Sequence, residues 1–357
     1  MHLEKIELKN FRCFSKASFD FTSDITIIYG NNGSGKTSII EAIHYLCYLT
    51  SFRSRLPLDI AEFESDSFFI KGSIRQNDGH VLDLQVGFAK KKKVAKIGQN
   101  PILSYKELFP YYQIVTITID DLELIQSSPI VRRSFIDQAI LLADPSFIEI
   151  LQRYRQIVQQ RNALLLKSFT YESYIIWTKQ LWQASIVIQK ARIQALNLLN
   201  IRISKLLQDF FDKNYTLEIV YNYKHIQPDE SFESFLERKK SLIAYEPIIK
   251  RSDFGAHLDD FTFNFCNKKI KNFGSRGQQK LLVLLIKIAQ VLNLQERLNY
   301  PILLIDDFIT DFDKEKLKSI IDLLFTLNCQ LIITSPIREK LLEDLLSSSN
   351  ISTIELI

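Results

Sequence analysis

Eight consecutive residues, Gly30-Asn31-Asn32-Gly33-Ser34-Gly35-Lys36-Thr37, have the types and spacing needed to hold a polyphosphate. Glycines allow backbone turns that other residues resist, so successive N–H groups can converge on phosphate oxygens. Lys36 would neutralise the outer phosphates, and the Thr37 hydroxyl would sit on Mg²⁺. The flanks fit this chemistry. Ile25 to Tyr29 is an apolar, strand-like run, and an amphipathic helix follows whose N-terminus adds positive potential. Gly30 to Thr37 are therefore candidate ATP ligands, with Lys36 also catalytic. A glycine-rich turn with no ligand is the competing reading.

A metal-bound phosphate needs a carboxylate. "PILLIDD" is an apolar strand ending in Asp306 and Asp307. Asp306 would hold Mg²⁺ beside Thr37, through water. Asp307, one residue on, could polarise an attacking water. Taken alone, the pair could equally be a solvated strand end. Most of the chain separates it from the glycine loop, so something large is inserted between them.

A second anion site is written in "NFGSRGQQKLLVLLIKIAQ", where Ser275, Gly277 and Gln278 sit in a turn opening an apolar helix. Exposed N–H groups and a hydroxyl at a helix N-terminus favour phosphate. One nucleotide does not need two such sites in one chain. The economical expectation is a homodimer in which Ser275, Gly277 and Gln278 cap the nucleotide of a second copy. A plain helix cap is the alternative.

The elements that must position these groups follow from periodicity. Residues 3–8 and 25–29 read as strands, and 67–74 with 81–88 as a pair around Gln76-Asn77-Asp78-Gly79. A helix is expected from Asp144 as N-cap and Pro145 at the first position, with Leu151, Tyr154, Val158 and Leu165 on one face. A second helix runs from about Tyr174 to Phe210. The short break near 168–173 makes the two antiparallel neighbours, a helical arm. The tail alternates strand and helix: ILLIDD, a helix from Asp313, QLIITS, another helix. That is the rhythm of a parallel sheet. The expected class is α/β, a P-loop head formed by residues 1–145 and 246–357 with an inserted arm at 146–245.

Composition narrows the function. The chain has 357 residues and a formal net charge of +4, so contact with a polyanion must come from local patches. Candidates are Lys90 to Lys93 with Lys96, Arg132-Arg133, Arg238-Lys239-Lys240, and Lys268-Lys269-Lys271. Each could equally be a solvated face. Cys13, Cys47, Cys266 and Cys329 lack metal spacing and read as buried small hydrophobes of a reducing compartment. No apolar run approaches a membrane span, which excludes a membrane-embedded protein and points to the cytoplasm.

The S-x-G-Q turn, the carboxylate strand and "TDFD" (Thr310 to Asp313) resemble the signature, Walker B and D-loop series of ABC-type and SMC-type ATPases. Over nearly the whole chain, "LKNFRCF", the glycine loop, "SFRS", "SPIVRRSFID", "YRQIVQQRNALL", "GAHLDDF", "SRGQQK" and "LLIDDFITDFD" are similar in order and spacing to the RecF family of bacterial DNA replication and repair proteins. The resemblance implies an ABC-type ATPase head with a short helical arm, an ATP-dependent homodimer, and duplex DNA binding at single-strand gaps. It implies weak, DNA-stimulated ATP hydrolysis in recombinational repair, replication restart and the SOS response, with RecR- and RecO-type mediator partners. It also suggests that Arg12 reaches the nucleotide phosphates; otherwise Arg12 is a surface residue on an early strand. The family's Gly-Pro-His-Arg-Asp-Asp is Gly255-Ala256-His257-Leu258-Asp259-Asp260 here, and His257 reads as structural. Where transporter ATPases place a switch histidine this chain has Thr334-Ser335, and its base is Asp307 rather than glutamate. Both departures suggest slow hydrolysis, a clamp rather than a motor. A transporter or nuclease ATPase subunit is the alternative.

Overall fold

A computed structural model describes residues 2–54, 56–76, 78–102, 105–108, 113–298, 300–309, 312–336 and 351–356. The chain divides into two compact units, Met1–Asp121 with Lys287–Ile357, and Leu122–Ile286.

The first unit begins with β1 (His2–Phe11), β2 (Phe14–Asp20), β3 (Ile25–Gly30) and α1 (Lys36–Tyr48). It continues through β4 (Phe68–Arg75), β5 (Val81–Ala89), β6 (Lys92–Ile97), β7 (Asn100–Ile102) and β8 (Ile114–Ile117). The strands expected from alternation are all present. Asn77, one of the four residues of the expected turn cluster, lies outside the described residues.

The second unit contributes α2 (Glu123–Gln126), α3 (Pro129–Ala143), α4 (Phe147–Leu165), α5 (Tyr171–Phe210) and β9 (Leu217–Asn222). Then come α6 (Phe232–Arg238), α7 (Lys240–Ile249), β10 (Asp260–Phe265), β11 (Lys268–Lys269) and α8 (Ile270–Phe273). The boundary between units falls inside α9 (Arg276–Leu298). The helix start at Pro145 is corrected. Asp144 accepts hydrogen bonds from the Ser146 N–H (3.0 Å) and hydroxyl (2.7 Å), which closes a turn and delays α4 to Phe147. α4 and α5 run antiparallel as expected, because Arg161 meets Thr178 while Tyr154 reaches toward Ser185.

The return segment holds β12 (Ile302–Ile305), α10 (Lys314–Phe325), β13 (Gln330–Ser335) and β14 (Ile351–Leu356). Asp313 caps α10, accepting from the Lys316 N–H. The helix expected after QLIITS, together with Thr310 and Asp311, lies outside the described residues.

Among the described residues the first unit carries two sheets. One is antiparallel with order β2-β1-β4-β5-β6-β7; the other is parallel with order β14-β3-β13-β12-β8. α1 lies between them, and ten of its thirteen residues are buried, so it packs on both sides rather than along one stripe. Gln330 stitches the layers: its amide accepts from the Leu3 N–H at 2.8 Å and donates to the Leu3 carbonyl at 2.9 Å. No described helix is long and apolar enough to cross a membrane.

The cysteine expectation needs correction. Cys47 and Cys329 are buried, but Cys13 and Cys266 are exposed. Both exposed residues sit in tight hairpin turns, where Arg12 (φ 53°), Cys266 (φ 47°) and Asn267 (φ 63°) adopt left-handed backbone. Such a turn offers a side chain no core to enter.

Candidate nucleotide site

Three neighbouring parallel strands, β3, β13 and β12, end side by side, and the side chains beyond their C-termini converge. In an open α/β sheet this edge is where ligands are held. β3 delivers the glycine loop, β12 delivers Asp306 and Asp307, and β13 between them delivers Thr334.

The loop is built for close approach. Gly35 has φ 103°, and a Cβ there would meet the Phe14 ring at 2.6 Å and Cys13 Sγ at 2.8 Å. A Cβ on Gly30 would fall 2.5 Å from Ser34 Oγ and 2.7 Å from the Leu356 carbonyl. Lys36, almost wholly buried, donates from Nζ to the carbonyls of Gly30 (2.8 Å) and Asn31 (3.1 Å). Its charge is thus held at the centre of the turn. Ser34 Oγ is buried with no hydrogen-bond partner among the described residues. An orphaned hydroxyl in this glycine loop fits a phosphate, which would satisfy it.

Thr37 Oγ1 donates to Asp306 Oδ1 at 3.0 Å, joining α1 to the end of β12. Asp306 is buried, which raises its carboxyl pKa; hydrogen bonds from Thr334 and Thr37 oppose that rise and the neighbouring Asp307 reinforces it. A buried carboxylate beside a hydroxyl, with so little compensating positive charge, fits Mg²⁺, which takes one or two carboxylates and leaves its other positions to water and phosphate. Among the described residues no group of three or more His, Cys, Asp and Glu could hold a metal by itself.

Asp307 Oδ2 lies 4.0 Å from Lys36 Nζ. Its backbone sits in the left-handed region (φ 47°), which turns the carboxylate out of the strand direction. Thr334 fixes this pose. Its Oγ1 accepts from the Asp307 N–H at 2.8 Å, and lies 2.9 Å from Asp306 Oδ1 and 3.0 Å from Asp307 Oδ1. One hydroxyl proton can serve one carboxylate at a time, so Thr334 couples the two. In the sequence, Thr334 is marked only as standing where transporter ATPases place a switch histidine; its part in holding the two carboxylates is not legible there.

Arg12 lies on the same unit, and the structure turns its guanidinium onto Glu41. Nε and Nη2 donate to the two Glu41 carboxylate oxygens at 2.8 and 2.6 Å, and Nη1 donates to the Asp59 carbonyl. Glu41 is fully buried on α1 and also accepts from Ser51. Arg12 therefore braces α1 from below the loop. Glu41 had no sequence signal, because an isolated glutamate on a helix normally faces water.

The second unit holds the S-x-G-Q turn. The Ser275 N–H donates to Gln278 Oε1 at 2.9 Å, and the Gln278 N–H reaches Ser275 Oγ at 3.3 Å. This reciprocal capping opens α9. Ser275 and Gly277 are exposed, and a Cβ on Gly277 would meet nothing within 4 Å. The turn is open to an incoming ligand at the head of a long helix.

The loop at 255–260 is held by residues from elsewhere in the second unit. Arg132 makes a bidentate pair with Asp260, and Arg133 donates to the Asp259 carbonyl. Arg192 bridges Asp137 and the Ala256 carbonyl. Buried Asp259 accepts from Gln189, Tyr221 and the Lys224 N–H. His257 Nδ1 lies 2.7 Å from the Tyr154 hydroxyl. Burial, then neighbouring arginines, lower its pKa to about 4, so it is neutral and structural at pH 7.

These contacts sort the basic clusters. Arg132, Arg133 and Arg238 are taken up by Asp260, Asp259 and Glu230. Lys93 Nζ donates to the Leu49 carbonyl at 2.7 Å, and burial lowers its pKa. Lys90, Lys91, Lys92 and Lys96 on the β5–β6 hairpin and Lys268, Lys269 and Lys271 before the S-x-G-Q turn remain exposed.

The chain resembles known proteins throughout. The family model described as RecF/RecN/SMC N terminal domain matches residues 2–355. A DNA replication and repair protein RecF of Leptospira interrogans is 31% identical over 331 residues, covering 91% of this chain and 89% of that protein. The corresponding protein of Chlorobium phaeobacteroides is 29% identical, covering 90% and 92%. A solved structure of the recombination mediator protein RecF with ATP, in the RecFOR pathway, superposes with a TM-score of 0.82 at 25% identity, covering 95% of this chain and 92% of that one. An Smc head domain of Pyrococcus furiosus shares the fold at a TM-score of 0.57 and 15% identity, covering 100% and 94%.

Proposed function

The chain belongs to the RecF family within the RecF/RecN/SMC N-terminal domain proteins, and on that premise we propose an ATPase of recombinational DNA repair that closes as a dimer on duplex DNA at single-strand gaps. The observation that carries the reading is the Thr37–Asp306 hydrogen bond. It brings the end of the glycine loop and the carboxylate strand together at one sheet edge, as Mg-nucleotide chemistry requires.

ATP would supply the phosphoanhydride, and Mg²⁺ would offset the charge of its outer phosphates. Gly30 to Gly35 would wrap the phosphates, and Ser34 offers its buried hydroxyl. Lys36 exchanges the Gly30 and Asn31 carbonyls for phosphate. Thr37 and Asp306 would hold the ion. Asp307, oriented by Thr334, accepts a proton from water. Ser275, Gly277 and Gln278 of a second copy would close over the nucleotide, so the triphosphate joins two surfaces. Loss of the outer phosphate then releases the clamp. With the shorter aspartate as base, turnover is slow; stimulation by bound DNA is a separate expectation. The expected partners are RecO- and RecR-type mediators, and the expected setting is the cytoplasm.

Two measurements bear on this reading. Ser275→Arg places a bulky cation on the open helix start. In saturating non-hydrolysable ATP analogue the variant should sediment as monomer while the parent sediments as dimer, and each monomer should still bind nucleotide through its own glycine loop, more weakly than the parent because the second copy's contacts are lost. A parent that stays monomeric would overturn the dimeric clamp. DNA contact through lysines to phosphate, made from Lys268, Lys269 and Lys271 in each copy, should be salt-sensitive. Between about 50 and 200 mM salt, duplex affinity should fall roughly 1,000-fold, as about six phosphate contacts give. A flat response would exclude phosphate-led binding.

A further inference from the structure

The outer face of the antiparallel sheet carries a feature the nucleotide site does not use. In one cross-strand row stand Lys16, Lys9, Phe69, Gly87 and Val94, paired in that order across β2, β1, β4, β5 and β6. The inner face of this sheet is covered by α1, so the outer face is expected to be polar. Here Phe69 and Val94 are instead exposed, Val94 at 52%. Between them Gly87 leaves a groove of about 410 Å³, bounded by Ser67, Lys9 and Lys92.

Gly87 is the informative residue. Its backbone is not in the left-handed region, and a Cβ would find only ordinary contacts, the nearest being the Phe69 ring at 3.7 Å. Nothing in the fold requires glycine there, and a glycine inside a strand costs stability and marks close approach by another chain. What the missing side chain provides is the groove. The charged residues that line it are both lysines. Lys9 and Lys92 line it, Lys16 continues the row, and Lys90 and Lys91 form the adjoining hairpin tip with left-handed backbone (φ 49° and 59°). No carboxylate is among the lining residues.

We propose that this groove docks an acidic peptide segment of a partner protein, with one or two apolar side chains seated over Gly87 between Phe69 and Val94 and carboxylates on Lys9 and Lys92. The concave apolar floor favours a peptide over a nucleic acid backbone, which needs cations but no apolar pocket. The site lies wholly in the first unit and does not depend on the nucleotide reading.

The test uses the full chain and a fluorescent heptapeptide, Glu-Asp-Glu-Leu-Phe-Asp-Glu, read by anisotropy. The expected dissociation constant is on the order of 10–100 μM, weakening at least tenfold when Leu and Phe are replaced by Ala. Gly87→Val fills the groove with a residue suited to a strand and should weaken binding at least about tenfold. Lys9→Glu with Lys92→Glu should do the same, and both variants should keep wild-type ATP affinity, which reports an intact fold. Absence of binding below about 1 mM overturns the proposal. So does a Gly87→Val affinity unchanged within about twofold. If a short duplex displaces the peptide and Gly87→Val weakens the duplex instead, the groove belongs to a DNA track and the peptide assignment fails.

Discussion

Replacing Asp307 by asparagine should lower single-turnover ATP hydrolysis by roughly 10²–10³-fold, the range for loss of a positioned general base. The substitution is well matched to the site. Asp307 sits at φ 47°, a backbone region that asparagine tolerates best after glycine, so the turn at the end of β12 should survive. The amide oxygen can still accept from Thr334, and the backbone N–H keeps its bond to Thr334 Oγ1. What disappears is the group able to take a proton from water. ATP binding should persist, because Lys36, Thr37 and Asp306 are untouched. The ATP-held dimer should therefore accumulate and dissociate more slowly than that of the parent. Hydrolysis within about threefold of the parent would remove Asp307 from the reaction and point to a base supplied elsewhere.

The second large effect concerns stability. Arg161→Ala should destabilise the second unit by about 3–5 kcal/mol, as breaking one side of a buried ion pair does. Arg161 and Glu246 are both fully buried. The guanidinium donates to both Glu246 oxygens, to Ser252 Oγ at 2.7 Å and to Thr178 Oγ1 at 3.1 Å. It is also sandwiched between the rings of Tyr174 and Phe254, at 5.0 and 4.7 Å from their centroids. Truncation would leave the Glu246 carboxylate with the Tyr174 hydroxyl and the Asp253 N–H but no cation. The unit's melting temperature should drop by roughly 10 °C, with hydrogen exchange accelerated in α4, α5 and α7. The double variant Arg161→Met with Glu246→Leu should recover much of the loss, because no charge then remains buried. If the double variant were as unstable as Arg161→Ala, the cost would be one of packing and not of an abandoned charge.

Arg161 shows how far residue patterns reach. Its helix is legible from the recurrence of Leu151, Tyr154 and Leu165. That its charge is buried is not legible, because the residues that neutralise it come from α5, α7 and the loop beyond. The exposed Cys13 and Cys266 are the converse case. A small apolar residue reads as core, yet tight turns hold both at the surface.

In the nucleotide site the division follows the range of the forces involved. The glycine loop, the strand before it, the helix after it and the paired aspartates are set by neighbours within a few residues, through allowed dihedrals and hydrophobic periodicity. These the sequence determined by itself, and from them the class of fold and the phosphate chemistry. Only the tertiary structure decided that Thr334 would stand between Asp306 and Asp307, that Arg12 would be committed to Glu41, and which lysines would stay exposed. Each of those depends on which strand ends lie side by side in the sheet and which groups desolvate one another there. Electrostatics and hydrogen bonding act through space between residues far apart in the chain, so no local spacing encodes them.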